Sequence, residues 1–460
     1  MTEVMKVLVN VYGVFTLFML VVRFERGLLL LIPIVPLAAY TYRTPVMGLN
    51  LNNLLVYTAF SMGLLRRIGH RGPVPPATWP LVVFFGMTIF SWLIGWLNFR
   101  HDAVYPYETL RWFVNIERWV LYTLLYFAYF FGWSEKIPLR TGFQWMLVGV
   151  FIAAAYNLYE LAFPTPYLLA SGRAGGVFVQ ANANGIFLAS YGLLPLVFAA
   201  TTTSAVRRWL YWGVFGLCVI GVVVSASRAA LLCLGAGGLV FAFFRSRRAF
   251  AALVVLIGLL VPAGSIFLPK KVFEHYESTL QGSEYEGVAG KFEGSAANRI
   301  VQNIAGVKLF FESPIVGHGL GGFYYRSPKY LPPGSPSVTR APHSTFLALA
   351  VEGGIIWLGA FLVLLTSLGL SGKRMYDLAT AEEDRLFSLF LIAIVVTKII
   401  ANFLNIEFLS GDASCYLWVT AALVSLAYSK LPERSPARQP VPTSWRPRAR
   451  PEVRPPVMHG

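Results

Sequence analysis

The sequence predicts an all-α integral membrane protein of twelve or thirteen transmembrane helices, with one large external loop that contains short helices. Three observations predict it. The composition is 56% hydrophobic and only 13% charged, far from the balance of a soluble domain. Apolar runs recur at the length of about 20 residues that a helix needs to cross a bilayer. One long polar stretch, 269–342, interrupts them.

The runs fall at 5–22, 27–40, 47–64, 79–97, 112–133, 142–163, 177–202, 209–225, 228–244, 248–268, 343–370, 385–405 and 413–429. The second is short and holds Pro33 and Pro36, which leaves a tilted or re-entrant segment open and makes the count twelve or thirteen. No small-residue cleavage site follows the apolar core of 1–22, so that run is read as a retained span. The domain organisation is then an N-terminal bundle at 1–268, the large loop at 269–342 and a C-terminal bundle at 343–429. The tail at 430–460, rich in Pro and Arg, lacks an apolar period and is expected to be disordered.

Lys and Arg in short loops set the orientation, because cytoplasmic loops carry the excess. The clusters Arg66/Arg67/Arg71, Lys136/Arg140, Arg207/Arg208, Arg245/Arg247/Arg248 and Lys373/Arg374 all fall on one side when the spans alternate. The loops 98–111, 164–176, 225–228, 269–342 and 406–412 then lie outside. Thirteen spans put the N-terminus outside and twelve put it inside. The net charge of +16 follows from this dispersal and from contact with anionic lipid headgroups, so no nucleic-acid partner is expected.

Cys218, Cys233 and Cys415 all lie in apolar spans without a CxxC pair and read as small buried hydrophobes. No HExxH, Walker loop, GxSxG or DxD motif occurs, and Asp stands only at 102, 377, 384 and 412. No cofactor or metal is expected.

Four external constellations carry chemistry. Ser171 to Gly185 leads a polar strip into a span: Arg173 lies outside, while Asn182 and Asn184 enter the bilayer edge, where buried amides cost several kcal/mol unless hydrogen-bonded. Ser225-Ala-Ser227-Arg228 is a hairpin tip whose arginine, outside and close to hydrocarbon, suits a lipid phosphate or a snorkelling position. Asn298-Arg299 opens an amphipathic helix with Ile300, Ile304, Val307 and Phe311 on one face, ended by Glu312-Ser-Pro314. Two readings stay open: the helix lies on the membrane surface with Arg299 at headgroup level, or Arg299 is one solvated charge on a surface helix.

The fourth constellation is Gly317-His-Gly-Leu-Gly-Gly-Phe323, then Arg340-Ala-Pro-His343, then Glu352-Gly-Gly354. No strand–helix unit surrounds the glycines, so they read as sites of close backbone approach and not as a nucleotide fingerprint. His343 follows Pro342 at a span start, where the helix dipole disfavours imidazolium and leaves a neutral general base. A structural histidine is the plainer alternative.

Taken in order, Arg173-x-x-Gly176-x-Phe178 with Asn182, Ser227-Arg228, Asn298-Arg299, the glycine run, Pro342-His343 and Glu352-Gly353 resemble the O-antigen ligase and polymerase superfamily over about residues 170–365. Gln180-Ala181 replaces the Asn-Pro common there, and Ser344 stands where Asn is common. The resemblance implies a bacterial inner-membrane enzyme, active on the periplasmic side. It would move a glycan from undecaprenyl diphosphate to an acceptor hydroxyl on lipid A core, protein or another glycan. It implies that Arg228 and Arg299 grip the diphosphate and His343 activates the acceptor, with Arg173, Asn182 and Arg340 binding substrate. A polymerase of lipid-linked repeat units is the near alternative. A transporter or lipid-linked sugar flippase is the alternative from another class; it predicts internal repeats and charges at the bilayer midplane. No repeat is seen, and apart from Glu117/Arg118 the ionisable residues gather at the external edge.

Overall fold

The computed structural model describes residues 2–41, 50–68, 74–101, 120–260, 291, 294–332, 342–408 and 411–430. Arg340, Glu117, Arg118, residues 269–290 of the large loop and the tail from 431 lie outside the described residues.

The helices are α1 Thr2–Val22, α2 Phe24–Ile34, α3 Leu51–Arg67, α4 Thr78–Phe99, α5 Leu124–Gly132, α6 Leu139–Ala162, α7 Pro166–Ser171, α8 Ala181–Tyr191 and α9 Leu194–Thr201. They continue as α10 Ala205–Val224, α11 Arg228–Arg245, α12 Arg247–Leu260, α13 Gly294–Glu312, α14 Gly322–Arg326, α15 Thr345–Leu378, α16 Glu382–Leu404 and α17 Gly411–Ser429. No strand occurs among the described residues, so the protein is an all-α integral membrane protein. Where its residues are described, each of the thirteen apolar runs falls largely on helix. Eight helices among the described residues are long and apolar enough to cross a membrane, with α8 and α9 together counted as one; the other runs give shorter pieces.

The proline-containing run shows how a short segment spans the bundle. After α2 the chain tightens into a 3₁₀ helix, Val35–Tyr40, with Pro36 in its first turn. Eleven α residues and six 3₁₀ residues reach about 28 Å at 1.5 and 2.0 Å per residue, close to the hydrocarbon thickness of about 30 Å. The run folds back along α1: Tyr12 donates to the Leu30 carbonyl at 2.9 Å, and Asn10 donates to the Tyr40 carbonyl at 3.1 Å. Glu25 pairs with Arg66 near one end, and the Tyr40 hydroxyl bonds Tyr156 at the other.

Polar contacts define the basic end. Arg140 bonds Glu383 at 2.8 Å, Arg245 pairs with Glu382, and Tyr376 donates to the Phe244 carbonyl at 3.1 Å. Helices α11 and α16 are therefore antiparallel, and the Cys233 thiol against the Thr397 carbonyl at 3.4 Å fixes their register. Five residues further along each, about 7.5 Å, Arg228 comes level with Asn402. Asn402 in turn accepts from the Thr345 hydroxyl at 2.7 Å. The starts of α11 and α15 thus share the end opposite the basic one.

Helix α15 has 34 residues and α16 has 23, lengths of about 51 and 34 Å, although they connect the same two ends of the bundle. The excess of about 17 Å is taken up at Gly354, where φ is +65° and ψ is −166°. The kink separates residues 345–353 from a crossing segment that begins at Ile355. The expected single span at 343–370 is therefore two pieces, because only a glycine there accepts the left-handed φ that lets the chain turn.

Candidate functional site

The first part of the site is a loop cluster. The Glu160 carboxylate, 1% exposed, accepts from the Gly176 N–H at 2.8 Å and from the Thr165 hydroxyl, and so fixes both ends of the loop that carries Arg173. The Ala174 N–H donates to the Val224 carbonyl at 3.0 Å, seating that loop on the hairpin tip 225–228. Arg173 then donates through Nε to the Ser225 carbonyl at 3.0 Å and through Nη2 to Asn182 Oδ1 at 2.7 Å. Ser227 caps α11, its side chain accepting from the Ala230 N–H, and Arg228 is the first residue of that helix. Val179 at φ +54° and Ala226 at φ +46° are the two non-glycine residues with positive φ among the described residues. Both lie in this cluster, where local strain of order 1–3 kcal/mol each is held by the surrounding bonds.

The two asparagines diverge. Asn182 is half-buried and bonds Arg173. Asn184 is fully buried and donates to Asn157 Oδ1 at 2.7 Å, while its own Oδ1 faces Gly176 without a hydrogen bond in the structure. A Cβ at Gly176 would lie 2.1 Å from that oxygen, so the glycine is required by packing as well as by its φ of +57°.

The second part is the pair α13 and α15. The helix expected from Asn298 begins at Gly294, so Asn298 and Arg299 stand in its second turn. Its bundle-facing side is Ala297, Val301, Ala305 and Leu309, all buried, and not the Ile304/Val307/Phe311 face. Gly306 lies against Leu347, Leu309 packs with Val351, and Gly317 meets the Glu352–Gly353 backbone. Successive contacts advance along both chains, so 294–317 and 343–353 run parallel. Arg299 shares a helical face with Gly306, two turns earlier, which sets it alongside His343.

The glycine run locks this pair. His318 and Gly319 donate backbone N–H to the Val351 and Glu352 carbonyls, each at 2.9 Å, and the Leu320 N–H donates to the Ser91 carbonyl at 2.9 Å. A Cβ at Gly319 would lie 2.0 Å from the Gly95 nitrogen, and one at Gly354 would lie 2.1 Å from the Ile315 oxygen. The glycines permit backbone-on-backbone contact between α4, the loop and the α15 kink. His318 is buried, with Nε2 2.9 Å from the Leu309 carbonyl, and so braces the loop against α13; burial pushes its pKa down. Glu352 is buried, accepts from the Gly321 and Phe323 N–H groups, and ties the loop to the kink.

His343 precedes the Ser344 N-cap of α15 and is half-buried. Burial first, and the Arg299 cation second, push its pKa down to about 4, so the imidazole is neutral at pH 7. The structure thus joins Arg173 to Asn182 directly, couples Arg299 to His343, and brings both groups and Arg228 to one end of the bundle.

Sequence reading missed a buried network beside the site. Lys398 pairs with Glu407 at 3.3 Å, with side chains 1% and 2% exposed, and also donates to the Ala413 carbonyl at 3.0 Å. Lys398 lies about 9 Å inside the end of α16, so the ionisable residues do not all gather at the edge. Asn402 bonds the Lys398 carbonyl, Thr345 and the Phe408 N–H together. The signal was present: beyond Arg385 at its first position, Lys398 is the one cation in the run 385–405.

No curated protein matches the chain. The family profile described as O-antigen ligase matches residues 213–364, about a third of the chain, and takes in Arg228, Arg299, His343 and the glycine-lined junction, while Arg173 and Asn182 precede it. A bundle of membrane-crossing helices with this junction at one end is therefore similar, over residues 213–364, to the O-antigen ligase family.

Proposed function

We propose that this protein is a ligase that transfers a glycan from an undecaprenyl diphosphate carrier to an acceptor hydroxyl at the periplasmic face of a bacterial inner membrane. The observation that carries the reading is the neutral His343 alongside Arg299, inside the matched family segment and at the bundle end where α11 begins with Arg228. A guanidinium binds phosphate oxygens through two parallel N–H groups and keeps its charge at any working pH. Arg228 and Arg299 hold the diphosphate and stabilise the charge that develops as it leaves. Arg173, oriented by Asn182 and the Ser225 carbonyl, contributes to the sugar side, and Arg340 is assigned to substrate binding with it.

The reaction is a single displacement. The acceptor oxygen forms a bond to the anomeric carbon, the bond from that carbon to the diphosphate oxygen breaks, and the lipid diphosphate leaves with the electron pair. The acceptor proton passes to His343. An imidazole held near pKa 4 is a weak base, and an anionic donor seated against Arg299 offsets the cation that contributes to this depression. Burial, the larger cause, stays in place, so the donor raises the basicity of His343 in part. Configuration at the anomeric carbon inverts; a product with retained linkage rules the mechanism out.

The test is transfer by purified protein from a lipid-diphosphate-linked glycan to candidate acceptors, in chelator, for wild type and for His343→Ala, Arg228→Ala and Arg299→Ala. Transfer abolished by each change in folded protein supports the reading. Transfer that survives all three overturns the assignment of residues, and an inert wild type with every acceptor favours transport of the lipid-linked sugar.

A further inference from the structure

Helix α13 has a second apolar face that no other described residue covers. Ile304 is 46% exposed, Val307 45% and Phe311 72%, and Ile315 in the following turn is 62% exposed. The first three recur at i, i+3 and i+7, one side of the helix, about a quarter-turn from the buried Ala297–Leu309 side. An exposed stripe of this kind needs an occupant.

The position of the stripe names one. The Ile355 N–H donates to the Pro314 carbonyl at 2.8 Å, so the turn after α13 touches α15 where its crossing segment begins. Ile355 and Ile356 are exposed there, on a helix long and apolar enough to cross a membrane. The α13 stripe thus continues a surface that lipid tails cover. Lys308, exposed beside the stripe, lies over the Tyr330 ring at 5.4 Å, and a cation at that place suits anionic headgroups.

We infer that α13 is an interfacial helix whose Ile304, Val307 and Phe311 side chains, continued by Ile315, insert into the acyl region of the bilayer leaflet at the Arg299–His343 end. The bundle-facing side holds the helix to α15 while the lipid-facing side fixes its height, which sets Arg299 in the headgroup layer. The occupant is bulk bilayer lipid, not a second copy of the chain and not a polyprenyl tail.

The experiment is site-directed spin labelling of the full-length protein in phosphatidylethanolamine–phosphatidylglycerol nanodiscs that contain no polyprenyl lipid. Single cysteines replace Ile304, Val307, Phe311 and, as a polar reference, Lys329. The native Cys218, Cys233 and Cys415 are buried and stay unlabelled. Labels at 304, 307 and 311 are expected to collide with molecular oxygen several-fold more, relative to a water-soluble nickel chelate, than the label at 329. A chelate-accessible label at 307 and 311 would show the face in water and overturn the inference. Labels shielded from both reagents would show a protein partner or second copy on the face, and would overturn it equally.

Discussion

The Arg173 cluster and the Arg299–His343 pair sit at the same end of the bundle and hold their functional groups by opposite means. Arg173 is tied by named hydrogen bonds to Ser225 and Asn182 and braced through the buried Glu160. Its guanidinium has direction fixed in advance. Arg299 and His343 are instead brought together by Gly306 packing against the Leu347 side chain one to two turns away, and they act on each other through charge and burial. The first arrangement fixes geometry, and the second leaves protonation able to respond to an anionic ligand.

That contrast can be broken most directly at His343. His343→Ala is expected to lower transfer by about 10²–10⁴-fold with unchanged thermal unfolding in detergent; a loss below tenfold would place the base elsewhere. Gly319→Ala tests the lock beneath it: a Cβ 2.0 Å from the Gly95 nitrogen, at φ +87°, is expected to cost on the order of 3 kcal/mol or more. It should lower the unfolding temperature and the yield of folded protein. In the other cluster, Asn182→Ala removes one partner of an oriented guanidinium. The loss of about 1.5 kcal/mol appears as roughly a tenfold drop in kcat/KM, while Glu160→Gln, which keeps an acceptor for the Gly176 N–H, changes it less.

The smallest effect is on pH. The folded pKa of His343, about 4, lies below the ordinary value of 6.5, so the unfolded chain binds the proton more readily. The stability contributed by the neutral imidazole is present above pH 6.5 and is lost as pH falls from there toward 4. The acid limb of kcat/KM is expected below pH 6. Arg299→Gln removes the second cause of the depression, so the acid limb moves to higher pH. A limb that stays in place would remove Arg299 from the environment of His343.

Much of the site was legible because its residues are polar in an apolar chain. Arg173, Arg228, Arg299 and His343 stand out by composition and by the order in which they occur, and the glycine run announces close approach. The face of α13 that packs on the bundle was not legible. Ile300, Ile304, Val307 and Phe311 form the larger apolar stripe, but the smaller Ala297, Val301 and Ala305 allow close helix packing, and membrane-side packing favours small residues. Lys398 and Glu407 were passed over because their partnership joins a span to a loop nine residues on, and spacing alone does not show burial.

By itself the sequence determined that the chain is a membrane bundle, where its helices run and which polar groups face one side. Bilayer hydrocarbon demands long apolar helices whatever the packing, so hydropathy reports them directly. Only the tertiary structure decided that α15 bends at Gly354, that Asn182 serves Arg173 while Asn184 is buried, and that burial, with Arg299 second, depresses the pKa of His343. These depend on contacts between residues tens to hundreds of positions apart, where register, burial and a missing Cβ are set by neighbours that no local pattern contains.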